Sequence, residues 1–175
     1  NIQAAVLFKD LDPALACRHP DPLAPGASEF AREIVLSHEA EVGFVFDIDG
    51  DRVLVLNERG EALRGDAVLW LLSQGLSHGE GVVFDIRSSR ALREDLEERR
   101  LRALPSRVGH SFIKETMRES GAKLGGELSG HFYFEEFFHS DSAILAALKI
   151  LEILSRENLP LSELTRPYLR YFHSG

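Results

Sequence analysis

Three aspartates stand at alternate positions within five residues of Phe46-Asp47-Ile48-Asp49-Gly50-Asp51-Arg52. Carboxylates this close repel one another unless a positive group neutralises them. Oxygen-only ligands at this spacing suit a hard divalent cation, Mg²⁺ before Ca²⁺ or Zn²⁺. Gly50 permits the tight turn that lets Asp47, Asp49 and Asp51 converge on one ion. Arg52 follows at once, and a guanidinium beside a metal is a phosphate clamp.

Other readings compete. A solvated acidic turn is the plainest, but ordinary turns do not follow so apolar a strand as Val42–Phe46 with so regular a carboxylate spacing. Asp-x-Asp after such a strand also fits phosphatases of the haloacid-dehalogenase type, with Asp47 as nucleophile and Asp49 as acid/base. Those usually continue with Thr or Val where Asp51 stands. An EF-hand would need Gly at the place of Arg52 and a helix where Val53-Leu54-Val55-Leu56 reads as a strand, and is set aside.

Gly125-Gly126-Glu127-Leu128-Ser129-Gly130-His131 is the second chemical stretch. Its glycines permit close approach of a ligand. Glu127, Ser129 and His131 alternate, so an extended chain points all three to one side, where they could grip sugar hydroxyls. His131 could also move a proton near neutral pH. A Gly-rich hairpin with incidental polar residues is the plain alternative. Gly109-His110-Ser111 at the mouth of a helix offers free N–H groups and an imidazole to an anion. Arg87, just past a strand end, is a possible phosphate ligand; taken alone it reads as a surface arginine.

Strands and helices must position these groups. Apolar runs predict strands at 42–46, 53–56, 82–86, 101–108, 123–128 and 132–135, the fourth broken by Pro105. Periodicity and caps predict helices at 29–37, 65–77, 90–100, 112–120 and 142–157. Alternating strands and helices indicate a three-layer α/β/α domain with a mixed sheet of about four strands. Ile2–Phe8 reads as a short strand. Pro13, Pro20, Pro22 and Pro25 make the first segment an extended linker. The expected divisions are 1–26 as the end of a preceding domain and linker, 27–160 as the metal- and sugar-binding domain, and 161–175 as a linker onward.

At 175 residues, 44% hydrophobic and 27% charged, the chain has the composition of a globular protein with a proper core. Its net charge of −8 argues against nucleic acid as the main partner. No apolar run is long enough to span a membrane. One cysteine, Cys17, excludes an internal disulfide and suits a reducing cytoplasm. The first residue is Asn1, so a fragment or trimmed product is expected.

Together these segments resemble the α-D-phosphohexomutases, the phosphomannomutase/phosphoglucomutase superfamily. Asp47–Arg52 resembles the metal loop Asp-Gly-Asp-Gly-Asp-Arg, with Ile48 replacing its first glycine. Gly126–His131 matches the sugar loop Gly-Glu-x-Ser-Gly-His. Gly109–Lys114 resembles Gly-His-Ser-x-Ile-Lys, and His19-Pro20-Asp21-Pro22 resembles a junction between the second and third of four domains. The resemblance implies an isomerase of carbohydrate metabolism that interconverts hexose 1- and 6-phosphates through a bisphosphate intermediate and a phosphoserine. It implies Mg²⁺ on Asp47, Asp49 and Asp51, and Arg52 against the transferring phosphate. Glu127 and Ser129 would bind sugar hydroxyls, His131 would be an acid/base or phosphate contact, and His110 and Arg87 would line the cleft. Its partners would be the phosphosugar and the enzyme's other domains. Neither the phosphoserine loop Thr-Ala-Ser-His-Asn nor the Arg-x-Ser-Asn-Thr phosphate loop occurs in the chain.

Overall fold

The computed structural model describes residues 2–8, 10, 14 and 19–171. Cys17 and Pro13 lie outside these residues. Ile2–Phe8 is irregular, not a strand; a lone extended segment with no partner strand lacks the cross-strand pairing that would hold it.

Two sheets carry the chain. The first is an antiparallel three-stranded sheet of β1 (Val42–Phe46), β2 (Val53–Asn57) and β3 (Ala62–Leu63), in that order. The register pairs Phe46 with Val53, so the three aspartates fill the tip of this hairpin. Strand alternation divides β2 between two layers. Val53 and Val55 face the main core, while Leu54 and Leu56 meet Val45 under α1 (Glu29–Ser37), against Ala31.

The second sheet is mixed and has the order β5-β4-β6-β7-β8. These are β4 (Gly81–Asp85), β5 (Arg102–Ser106), β6 (Leu124–Gly126), β7 (Phe132–Phe134) and β8 (Ser140–Asp141). The first three run parallel and the last two antiparallel. The expected α/β/α architecture holds. The sheet has five strands where about four were expected; the two-residue β8 is too short to leave an apolar run. Pro105 does not break β5, because β5 is an edge strand and can spare a donor.

Alternation on β4, β6 and β7 builds both layers. Val82, Phe84, Leu124, Phe132 and Phe134 join the main core with α2 (Gly65–Leu72), α3 (Arg90–Glu98) and α5 (Ala143–Glu157). Val83 and Tyr133 face the other way, against Ile113 and Met117 of α4 (His110–Ser120). On α5 the buried residues are Ala143, Ala146, Ala147, Ile150 and Ile153, while Ile144 and Leu148 are exposed. Ile144 and Leu148 are larger and more apolar than these alanines, yet they face solvent. The first turns of α5 present alanines to the core and its later turns Ile150 and Ile153. Helix α2 is shorter than expected and ends in a single 3₁₀ turn, Ser73–Gly75.

The stretch after Pro160 is helical in most of its described part. Helix α6 (Leu161–Thr165) buries Leu161, and Tyr168 lies 5.6 Å from Trp70 between ring centroids. Glu58 of the β2–β3 turn accepts hydrogen bonds from the Ser162 amide, at 3.1 Å, and from its hydroxyl.

Candidate active site

The C-terminal ends of the parallel strands deliver three of the expected residues. Arg87 follows β4, His110 opens α4 after β5, and Glu127 follows β6. This edge is where open α/β sheets gather ligand groups. The aspartate loop arrives from the other sheet. Its strand is antiparallel, so it owes its place to hairpin packing and not to a parallel sheet edge.

Within the aspartate loop the buried Asp47 is the organiser. Its Oδ1 accepts the amides of Gly50, Asp51 and Arg52, each at 3.1 Å. Its Oδ2 accepts from Arg52 Nε at 2.7 Å. Gly50 takes φ +74°, which the turn needs. Burial pushes the Asp47 carboxyl up, but hydrogen bonds from Asp51 and Arg52 outweigh it and hold it at about 2. Burial and the Asp47 contact push Asp51 the other way, upward. Two carboxylates this close resist a second negative charge. Asp51 Oδ1 is buried and makes no hydrogen bond, and Asp49 is exposed. Oxygens of Asp47, Asp49 and Asp51 lie within 4.8 Å of one another. An all-oxygen set that includes a buried oxygen without a hydrogen bond fits a hard divalent ion. Ile48 is 66% exposed and points clear of the carboxylates.

The second loop is a tight turn, not an extended chain. The Gly130 amide donates to Glu127 O at 3.1 Å, and the Glu127 amide to His131 O at 3.0 Å. The turn folds Ser129 back, so that its Oγ lies 2.8 Å from His131 Nδ1. Glu127 is only 4% exposed. Its Oε1 accepts the Gly109 amide at 2.8 Å and its Oε2 the Tyr133 hydroxyl at 2.6 Å. Glu127 therefore joins the Gly109-His110-Ser111 segment to the turn. Gly125 and Gly126 do not open space for a ligand. A Cβ there would lie 2.7 Å from Met117 Sδ and 2.8 Å from Leu69 Cδ1, so these glycines let helices lean on the sheet.

The two loops touch. Val53 N donates to Gly130 O at 3.1 Å, and Arg52 bridges to His131 as an isolated β-pair. His131 Nε2 lies 3.4 Å from Asp51 Oδ2. Gly130, at φ +88°, is needed here, since its Cβ would sit 2.7 Å from Val53 O. Asp141 belongs to the same cluster as Asp51 and His131. Lys114 Nζ pairs with Asp141 at 2.7 Å and lies over the Tyr133 ring.

Arg87 is exposed but not loose. Asp85 holds it through Nε at 3.2 Å and Nη2 at 3.0 Å. His110 is exposed at the start of α4. Asp21 also enters the site, 3.2 Å from Arg52 Nη1. Sequence reading passed over Asp85, Tyr133, Asp141 and Lys114 as site residues. Only the Lys114 position in Gly-His-Ser-x-Ile-Lys carried any signal.

A family profile, "Phosphoglucomutase/phosphomannomutase, alpha/beta/alpha domain III", matches residues 64–171. The chain belongs to the phosphoglucomutase/phosphomannomutase family. A phosphomannomutase of Methanocaldococcus jannaschii is 37% identical over 98% of this chain and 39% of its own length. A phosphoglucomutase of Neisseria meningitidis serogroup A is 36% identical over 88% of this chain and 34% of its own. A crystal structure of a Burkholderia thailandensis phosphoglucomutase/phosphomannomutase family protein superposes with a TM-score of 0.84 at 33% identity, covering 91% of this chain and 36% of that one. The chain thus spans between a third and two fifths of the curated relatives' length. The haloacid-dehalogenase alternative is not supported. Asp47 also has both oxygens engaged by donors, which is poor preparation for a nucleophile. Among the described residues no helix is long and apolar enough to cross a membrane.

Proposed function

We propose that this chain forms the metal-binding and sugar-recognising part of a phosphohexomutase active site, in the domain expected over residues 27–160. One observation carries the reading: the Asp47–Arg52 loop and the Gly126–His131 loop are hydrogen-bonded together through Val53 and Gly130. Asp47, Asp49 and Asp51 would hold Mg²⁺. When bound, the ion offsets negative charge on a moving phosphoryl group. Arg52 is anchored by Nε to Asp47 and by Nη1 to Asp21, and its remaining N–H groups are directed to a phosphate oxygen. His131, held at Nδ1 by Ser129, holds or accepts a proton at Nε2. Ser129 and Glu127 meet sugar hydroxyls, while Arg87 and His110 bind the distal phosphate.

In this reading the donor phosphoserine and the remaining cleft walls come from other domains of the same enzyme, and a hexose bisphosphate is the intermediate. The chain on its own is expected to bind without turnover. Calorimetric titration with Mg²⁺ and then with glucose 1-phosphate or mannose 1-phosphate tests this. Expected are one Mg²⁺ per chain and a loss of about tenfold or more in affinity in Asp51→Asn, consistent with removal of a charged ligand. Equal Mg²⁺ affinity in the variant, or no response to either sugar phosphate, would overturn the assignment.

A further inference from the structure

Asp85 and Asp66 are buried carboxylates built to one plan. Asp66 accepts Arg64 Nε and Nη2, both at 3.1 Å, and the Ser89 amide at 2.7 Å. Asp85 accepts Arg87 Nε and Nη2, and through the same Oδ1 the Arg87 amide at 2.8 Å. Its Oδ2 also accepts the Leu128 amide at 2.9 Å. The plans differ in what they join. Asp66 ties α2 to the cap of α3, and neither Arg64 nor Ser89 has a role in the proposed chemistry. Asp85 ties Arg87, on the phosphate side, to Leu128, which stands between Glu127 and Ser129 in the sugar turn.

We infer that Asp85 is a positioning residue that fixes the Arg87 guanidinium at a set distance from the 127–131 turn, so that one phosphosugar meets both. The inference rests on the reading above. Each carboxylate oxygen serves two N–H donors. An amide keeps one acceptor oxygen and turns an NH₂ donor toward the other pair, so Asn cannot hold both sides. The fork geometry also explains why arginine stands two residues past the end of β4: two parallel N–H bonds fix a direction as well as a distance.

The test uses nitrogen-15 NMR of the whole chain, wild type against Asp85→Asn and Asp66→Asn. In Asp85→Asn the amides of 127–131 should shift and the Arg87 Nε–H should lose protection from exchange. In Asp66→Asn, an equally buried change, both should stay. Glucose 1-phosphate should then bind about tenfold more weakly to Asp85→Asn and within about twofold of wild type to Asp66→Asn. Arg87→Lys probes the link from its exposed end, should Asp85→Asn fail to fold: the Leu128 amide must shift. Unmoved 127–131 amides in Asp85→Asn, an unmoved Leu128 amide in Arg87→Lys, or equal effects from Asp66→Asn would overturn the inference. If the links behave as expected and wild type ignores glucose 1-phosphate, the positioning role stands and the phosphosugar reading falls.

Discussion

Asp47, the centre of the aspartate loop, is satisfied from within that loop, whereas the sugar loop draws on the rest of the chain. Asp47 finds its amides at Gly50, Asp51 and Arg52, all within five residues. Glu127 depends on Gly109 and Tyr133, Leu128 on Asp85, and Gly130 on Val53. A locally closed loop is written in consecutive residues. A loop closed by distant partners shows its residue types in sequence and hides its geometry. The second loop should accordingly be the fragile one, and substitutions far from it in sequence should disturb it.

The largest effect is expected where the loops meet. Gly130→Ala places a Cβ against Val53 O in a left-handed backbone region. A loss of about 3 kcal/mol in denaturant-derived stability is expected, combining backbone strain with overpacking. A loss below about 0.5 kcal/mol would mean that the contact is loose. Tyr133→Phe comes next. It removes a donor to the buried Glu127 carboxylate, at a cost of about 2 kcal/mol. Glu127 should then turn toward His131, whose Nδ1 is 3.6 Å away, and NMR titration of His131 would report the change.

A smaller effect separates the hairpin from α6. Burial pushes Glu58 up, but the Ser162 hydroxyl and amide outweigh it and lower its pKa below 4.5. A depressed carboxyl contributes its full stability above the unfolded value and loses it as pH falls through the folded value. Ser162→Ala should therefore cost about 1 kcal/mol near neutrality and almost nothing once the pH is well below the folded value. An equal cost at both pH values would remove the carboxylate from the account. The smallest effect belongs to Ile48→Gly. The side chain is exposed and carries no ligand atom, so Mg²⁺ affinity should stay within about twofold and stability within about 1 kcal/mol.

Much of this was legible in the residues. Helix α1 and the 42–57 hairpin follow directly from periodicity and apolar runs, and the alternate spacing of Asp47, Asp49 and Asp51 anticipates the closeness of their oxygens. The rest was hidden for identifiable reasons. Two-residue strands such as β3 and β8 leave no periodic signal. The burial of alanines in place of Ile144 and Leu148 depends on which face of α5 meets the core, and a helix apolar on both faces does not record that. Glu127 and Asp85 act through partners up to 43 residues away, and only the folded sheet brings those partners within reach.

The most direct measurement is an amide NMR titration of the chain with Mg²⁺ alone. If the two loops are one site, shifts should appear at 47–52 and continue through Val53 into Gly130 and His131. Shifts that stop at residue 52 would show that the loops are adjacent and independent, and would contradict the joined half-site.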